Sequence, residues 1–245
     1  MKTGTHFQVF TMLTFVPTPI GNLKDITLRA LETLKAADYI VCEDTRHTSK
    51  LLMHYEISKP LLSFHEHSGG KAAADVLAKA EAGKNIAFVT DAGMPLISDP
   101  GFEIVREAIR RNIPFEVLPG PQAAVTALAV SGLAPDSFVF LGFLPQKPGK
   151  RKKEIERVKD YPETLIFYES PFRLLKSLND LLEILGDREA AVARELTKKF
   201  EEVARGRLSE LAEKFGTKEP RGEIVLVVAG ANRKELYSVP GNGQD

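Results

Sequence analysis

Ile86-Ala-Phe-Val-Thr90-Asp-Ala-Gly-Met-Pro95-Leu-Ile-Ser-Asp-Pro100-Gly-Phe102 is the stretch whose reading decides the fold. Ile86 to Val89 has the length and apolar content of a buried strand. Thr90 to Gly101 sets two glycines and two prolines among hydroxyls and carboxylates, which fixes a backbone turn. From Phe102 to Arg111 the apolar residues take helical spacing. A strand that ends in a rigid turn and feeds a helix is how an open α/β sheet builds a ligand cleft at the carboxyl ends of its strands. The blander reading is a tight turn in which Ser98 or Asp99 caps the helix.

The same grammar repeats outward from that stretch. Leu13 to Val16 is a strand that runs into Pro17-Thr-Pro-Ile-Gly-Asn-Leu23, a stiff loop with neither the glycine spacing of a dinucleotide fold nor the lysine of a phosphate loop. Asp25 or Thr27 can cap a helix carrying Leu28, Leu31 and Leu34. Further strands are read at Tyr39 to Cys42, Pro60 to Phe64 and Phe115 to Leu118, with helices between them and a small apolar helix at Ala123 to Ser131. Strands alternating with helices predict a mostly parallel sheet with helices on both faces, over residues 13–134. Gly132 to Asp136 reads as a hinge. Residues 137–230 then give a smaller α+β domain with a mixed sheet, and residues 231–245 a polar tail.

Composition bounds the function. The 245 residues carry 33 basic and 33 acidic side chains, so no global field attracts a polyanion and a nucleic-acid partner needs a local basic patch. No apolar run has the roughly 20 residues of a membrane span. Met1 to Met12 lacks the features of a signal peptide and reads as an extension before the first strand. The single cysteine, Cys42, excludes an internal disulfide and suits a reducing, cytoplasmic setting.

Three polar constellations could carry chemistry. Glu43-Asp-Thr-Arg-His-Thr48 follows the second strand directly. It is either a capped helix start with an internal salt bridge, or a substrate site in which Arg46 holds an anion and His47 takes a proton. His65 and His67 share a strand face, but no third ligand stands at metal-binding spacing, so they read as solvated or substrate-facing and no metal is expected. Lys147, Lys150, Arg151, Lys152 and Lys153 form the one dense basic run, either solubilising charge or a contact to a phosphate backbone.

Pro17 to Leu23 with Asp25-Ile-Thr-Leu-Arg29, Glu43 to Thr48, Asp91-Ala-Gly-Met-Pro95 with Ser98-Asp-Pro-Gly101, Leu118-Pro-Gly-Pro121, Gly142-Phe-Leu-Pro145, Tyr168-Glu-Ser-Pro171 and Arg194-Glu-Leu-Thr-Lys198 occur in this order. Together they resemble the ribosomal small subunit methyltransferase I family, a branch of the tetrapyrrole methylases, from about Leu13 to Gly230. The resemblance implies a two-domain enzyme, homodimeric, that uses S-adenosyl-L-methionine to methylate a ribose 2′-hydroxyl of a cytidine in the decoding centre of 16S rRNA, acting on the small ribosomal subunit. Carried over residue by residue, it implies cofactor contacts at Ile20, at Asp91, Gly93, Met94, Pro95, Ile97 and Ser98, at Gln122 and Ala123, at Tyr168 and at Leu196. The lysine-rich run, read from the residues themselves, is then the candidate contact to that rRNA. Asp44, Arg46 and His47, with Glu169 and Arg173, are the candidates for orienting the ribose or taking its proton. Three residues depart from the family pattern: Met94 stands where threonine is usual, Gln122 where serine is usual, and Phe172 where histidine is usual.

Two rivals remain at this level. A tetrapyrrole-type small-molecule methylase would share fold and cofactor, but leaves the basic run and Glu43 to Thr48 unexplained. A non-catalytic RNA-binding or ribosome-assembly protein would keep the basic run and need no methyl-donor cleft.

Overall fold

A computed structural model describes residues 13–65, 69–217 and 220–231. Expectations for Met1 to Met12, for Glu66 and His67, and for the tail beyond Ala231 lie outside the described residues. The chain divides between Pro121 and Gln122 into two compact units.

In the first unit, strands β1 (Leu13–Val16), β2 (Tyr39–Cys42), β3 (Leu61–Ser63), β4 (Ile86–Val89) and β5 (Phe115–Val117) form a wholly parallel sheet in the order β3-β2-β4-β1-β5. Helices α1 (Leu28–Ala36), α2 (Thr45–His54), α3 (Gly69–Glu81) and α4 (Phe102–Arg111) connect them. Strand residues alternate between faces, and their neighbours divide accordingly. Phe15 and Phe88 meet Val76 and Leu77 of α3 and Ile104 and Ala108 of α4. Val16 and Val89 meet Ala30 and Leu34 of α1 and Leu51 and Leu52 of α2. Strands buried on both sides are why these segments read as unbroken apolar runs.

The topology creates a cleft position. β1 and β4 are neighbours, yet the chain leaves β1 through α1 on one face and leaves β4 through α4 on the other. Adjacent strands whose exits diverge leave a crevice at their carboxyl ends.

Two local expectations are corrected. The N-cap of α4 is Gly101, at φ 114°, with no side-chain cap bond, so neither Ser98 nor Asp99 caps that helix. Thr27 caps α1 as expected, accepting from the Ala30 amide at 3.1 Å, but Leu28 is 78% exposed; the buried stripe is Ala30 and Leu34.

The second unit holds α5 (Ala123–Ser131), β6 (Phe138–Phe143), α6 (Pro148–Arg157), β7 (Thr164–Glu169), α7 (Leu174–Leu185), β8 (Glu189–Arg194), β9 (Glu202–Arg207), α8 (Leu208–Thr217) and β10 (Ile224–Val228). Its sheet runs β6-β7-β10-β8-β9, parallel between β6 and β7 and antiparallel elsewhere, which is the mixed sheet the sequence implied. Leu165, Phe167, Val192 and Leu226 face α6, α7 and α8. Ile166, Ala191, Val225 and Val227 are buried as well. Helix α5 packs against β7, β10, β8 and β9, so it belongs with this sheet, whereas the sequence reading grouped residues 123–131 with the first domain. A helix apolar all round carries no stripe that tells which sheet it covers.

Candidate active site

On the first unit, the loops that leave β1, β4 and β5 are locked together through backbone. Thr18 and Gly93 exchange amide hydrogen bonds, 3.0 Å each way, and the Thr18 hydroxyl donates to the Thr90 carbonyl at 3.2 Å. Gly93 has φ +84°, a conformation that disfavours a side chain. At Gly120 the reason for glycine is space: a β-carbon there would lie 2.5 Å from Cβ of Pro17. Two non-glycine residues of the β4–α4 loop are also left-handed, Leu96 at φ 73° and Ser98 at φ 62°. Such residues cost on the order of 1–3 kcal/mol each and persist where surrounding structure over-determines them, as at ligand sites.

This places the expected cofactor residues of the first unit as follows. Ile20, Gly93 and Pro95 are buried in the loop framework, Asp91 and Met94 are half-buried, and Ile97 and Ser98 are exposed. The Asp91 Oδ1 atom accepts the Asp44 amide at 3.2 Å, which joins this loop to the start of α2. Sequence reasoning missed Asp99 as more than a cap. Burial, with the nearby charges of Glu43 and Asp91, pushes its carboxyl up to about 7, although Thr90 hydrogen-bonds to it. The rise has a plain cause: the charged form of this half-buried carboxyl is desolvated and repelled by two others.

For Glu43 to Thr48 the local structure is the capped helix start. Asp44 caps α2 by accepting the Arg46 amide at 2.8 Å and pairs with the Arg46 guanidinium at 2.9 Å; these bonds hold its carboxyl well below the usual carboxylate range. Arg46 and His47 are exposed. Thr48 and Cys42 are buried, and burial raises the Cys42 thiol.

In the second unit, Gln122 caps α5 through its Oε1, which accepts the Val125 amide at 2.7 Å, and its Nε2 donates to the Tyr168 hydroxyl at 3.4 Å. Tyr168 meets the rings of Phe140 and Phe143 edge-on. Leu196 is buried between Glu195 and Thr197, both left-handed at φ 52° and 65°. This second strained loop follows β8.

Glu169 and Arg173 are given to each other. The Glu169 side chain is fully enclosed; its Oε1 accepts the Ser170 amide at 2.7 Å and pairs with Arg173 at 2.6 Å, while its Oε2 accepts from the Ser177 hydroxyl. Arg173 also donates to the Leu144 carbonyl at 3.1 Å. A carboxylate this satisfied and this dry ties the turn before α7 to α7 itself.

The basic run is smaller than its sequence. Arg151 is 4% exposed, paired with Asp180 of α7 at 2.6 Å, and donates to the Gln146 carbonyl at 3.3 Å. Lys152 pairs with Glu183 at 2.6 Å. Lys147, Lys150 and Lys153 are exposed. Among the described residues no group of histidine, cysteine or carboxylate side chains could hold a metal ion, and no helix is long and apolar enough to cross a membrane.

A model of the tetrapyrrole (corrin/porphyrin) methylase family matches residues 12–212. The chain is 50% identical over 225 residues to the ribosomal RNA small subunit methyltransferase I of Bacillus subtilis, covering 92% of this chain and 77% of that one. It is 48% identical over 218 residues to the protein of the same name from Thermotoga maritima, covering 89% and 98%. The chain belongs to the ribosomal RNA small subunit methyltransferase I family. Solved structures agree on the fold alone: uroporphyrin-III C-methyltransferase from Thermus thermophilus (TM-score 0.63, 23% identity, 88% of this chain and 94% of that one) and diphthine synthase (TM-score 0.68, 18% identity, 89% of each).

Small subunit methyltransferases I and tetrapyrrole methylases take their methyl group from S-adenosyl-L-methionine. The loops of the first unit fit such a ligand. Pro17 to Leu23, Thr90 to Gly101 and Pro119 to Pro121 contain no lysine or arginine, and Asp91 supplies an acidic side chain. That donor set favours a ligand carrying positive charge, as a sulfonium and an ammonium do, and disfavours a triphosphate. The departures at Met94 and Gln122 are accommodated, Met94 beside a loop fixed through backbone and Gln122 as a helix cap.

Proposed function

We propose that this chain transfers a methyl group to the ribose 2′-hydroxyl of a cytidine in the decoding centre of 16S rRNA, in the cytoplasm and as a homodimer. The observation that carries the reading is the extended likeness, at about half identity over nine-tenths of the chain, to proteins named as ribosomal RNA small subunit methyltransferases.

Ile20, Asp91, Gly93, Met94, Pro95, Ile97 and Ser98 are the residues of the first unit that would hold the cofactor. Gln122, Ala123, Tyr168 and Leu196 are those of the second. When bound, S-adenosyl-L-methionine supplies a methyl group already activated on sulfur, so the protein's tasks are alignment and removal of one proton. The rigid, backbone-bridged loops serve alignment, because their shape is set before any ligand arrives. His47, exposed on α2 with an imidazole that can accept a proton, is the residue assigned to take the ribose proton. Arg46, steered by Asp44, would hold a phosphate oxygen of the substrate strand. Glu169 and Arg173 act one step back, as positioning residues for the β6–α6 loop. Lys147, Lys150 and Lys153 are the side chains that would meet rRNA phosphates.

The roles separate in kinetics. With cofactor saturating, His47→Ala is expected to lower kcat for unmethylated small subunits by about 10²–10⁴-fold, the usual contribution of general acid–base catalysis. Arg46→Ala is expected to act chiefly on KM. Wild-type rates in both variants would remove α2 from the substrate site.

A further inference from the structure

Two aromatic side chains of the second unit turn much of their surface to solvent. Phe172 is 76% exposed in the turn before α7, and Phe143 is 58% exposed at the end of β6. The fold sets them on neighbouring, linked segments. β6 and β7 are parallel, and a register shift between Phe140 and Phe143, with Gly142 at φ 62°, sets Phe143 opposite Tyr168, whose ring it meets edge-on at 5.5 Å. Phe172 lies four residues beyond Tyr168. The bond from Arg173 to the Leu144 carbonyl then links the residue after Phe172 to the residue after Phe143.

The two segments that carry the rings are basic in sequence. From Phe143 to Lys153 there is no acidic residue and there are five basic ones; from Ser170 to Lys176 there is again no acidic residue. Arg151 and Arg173 are spent inside, holding the Gln146 and Leu144 carbonyls, which stiffens the segment that presents Phe143 and Lys147. Exposed rings beside unneutralised lysines on a stiff support match the two needs of an unpaired nucleic-acid strand, a π-face for its bases and point charges for its phosphates. A base-paired duplex offers no free base face to such rings.

We infer that Phe143 and Phe172 form a stacking platform for unpaired RNA bases, flanked by Lys147, Lys150 and Lys153 as phosphate contacts. This rests on the proposed rRNA reading and adds to it how the strand is gripped. It also gives the departure at Phe172 a use, since an aromatic ring there serves stacking without a titratable group.

The test uses the full chain and unmethylated small ribosomal subunits. Stacking on one ring is worth about tenfold in affinity. The double variant F143L/F172L keeps the apolar character and removes the π-faces. It is expected to raise KM for subunits about tenfold or more, with cofactor affinity intact and the salt dependence of binding unchanged, because no phosphate contact is lost. K150E should instead weaken binding and flatten the salt dependence. The chain contains no tryptophan, so F172W is a single reporter: it should restore affinity and lose fluorescence when subunits bind. F138W, at the opposite end of β6, should not. A wild-type KM in F143L/F172L overturns the platform while leaving the rRNA reading intact. So does F172W emission that stays unquenched, or shifts to the blue, on subunit binding. Failure of the wild-type protein to methylate subunits would sink the reading and the platform with it.

Discussion

Asp99 is the residue whose behaviour most directly reports how the β4–α4 loop is built. Its carboxyl sits among Glu43, Asp91 and Thr90, and burial and repulsion lift its proton affinity from the ordinary 3.8 to about 7. The folded protein therefore binds this proton more tightly than the unfolded chain does. Its contribution to stability is full below the unfolded value and is lost as pH rises toward 7. Asp99→Asn is expected to flatten the pH dependence of the melting temperature across that window and to raise it relative to wild type above pH 7; melts at several pH values decide this, and parallel curves for the two proteins would mean Asp99 is an ordinary surface carboxylate. Gly120 makes a steric prediction at the same scale. Gly120→Ala sets a methyl group 2.5 Å from Cβ of Pro17, so it should destabilise by about 1–3 kcal/mol and weaken S-adenosyl-L-methionine binding as the two loops part. Gly70→Ala, with open space around it, should instead stabilise by about 0.4–1 kcal/mol. Urea unfolding and calorimetry with the cofactor measure both; a Gly120→Ala protein with native stability and affinity would contradict the locked-loop description.

Helix α6 shows how far a run of like residues can mislead. In sequence, Lys147, Lys150, Arg151, Lys152 and Lys153 are one patch. In the structure, helical periodicity turns Arg151 inward to Asp180 and leaves Lys150 and Lys153 outward, while Lys147 is exposed at the extended N-cap. The two sets should fail differently. Arg151→Ala leaves the buried Asp180 carboxylate with only Lys152, at 3.7 Å, and is expected to cost about 3 kcal/mol of stability. Lys150→Ala should change stability by no more than about 0.5 kcal/mol and lower affinity for rRNA in a salt-dependent way. Equal loss of stability in both variants would reassign the outward lysines to folding. The alternation of faces was legible: the apolar runs at Leu13, Tyr39 and Ile86 gave three central strands with their boundaries intact. Pairing was not. The affiliation of α5 depends on long-range packing that its uniformly apolar sequence does not encode locally, and the Arg151–Asp180 and Arg173–Glu169 pairs join residues whose meeting only the fold decides.

At the scale of the whole molecule, the first unit supplies a pre-shaped crevice at the carboxyl ends of a parallel sheet, and the second carries the enclosed Glu169–Arg173 clamp, the outward lysines and the exposed rings. The proline, glycine and aspartate loops of this design could be read in advance, because rigid turns after apolar strands announce themselves in one dimension. The proton held on Asp99 and the structural employment of Glu169 could not, since each depends on the burial of groups far apart in sequence. The central claim is a methyl transfer to a ribose oxygen of small subunit rRNA. It is tested most directly by incubating the protein with small subunits that lack the modification and S-adenosyl-L-methionine labelled in its methyl group, and mapping where the label arrives. The account predicts one labelled ribose 2′-oxygen, on a cytidine of the decoding centre. Label on a base, on a ribosomal protein or on a tetrapyrrole supplied in competition, with none on that ribose, would contradict it.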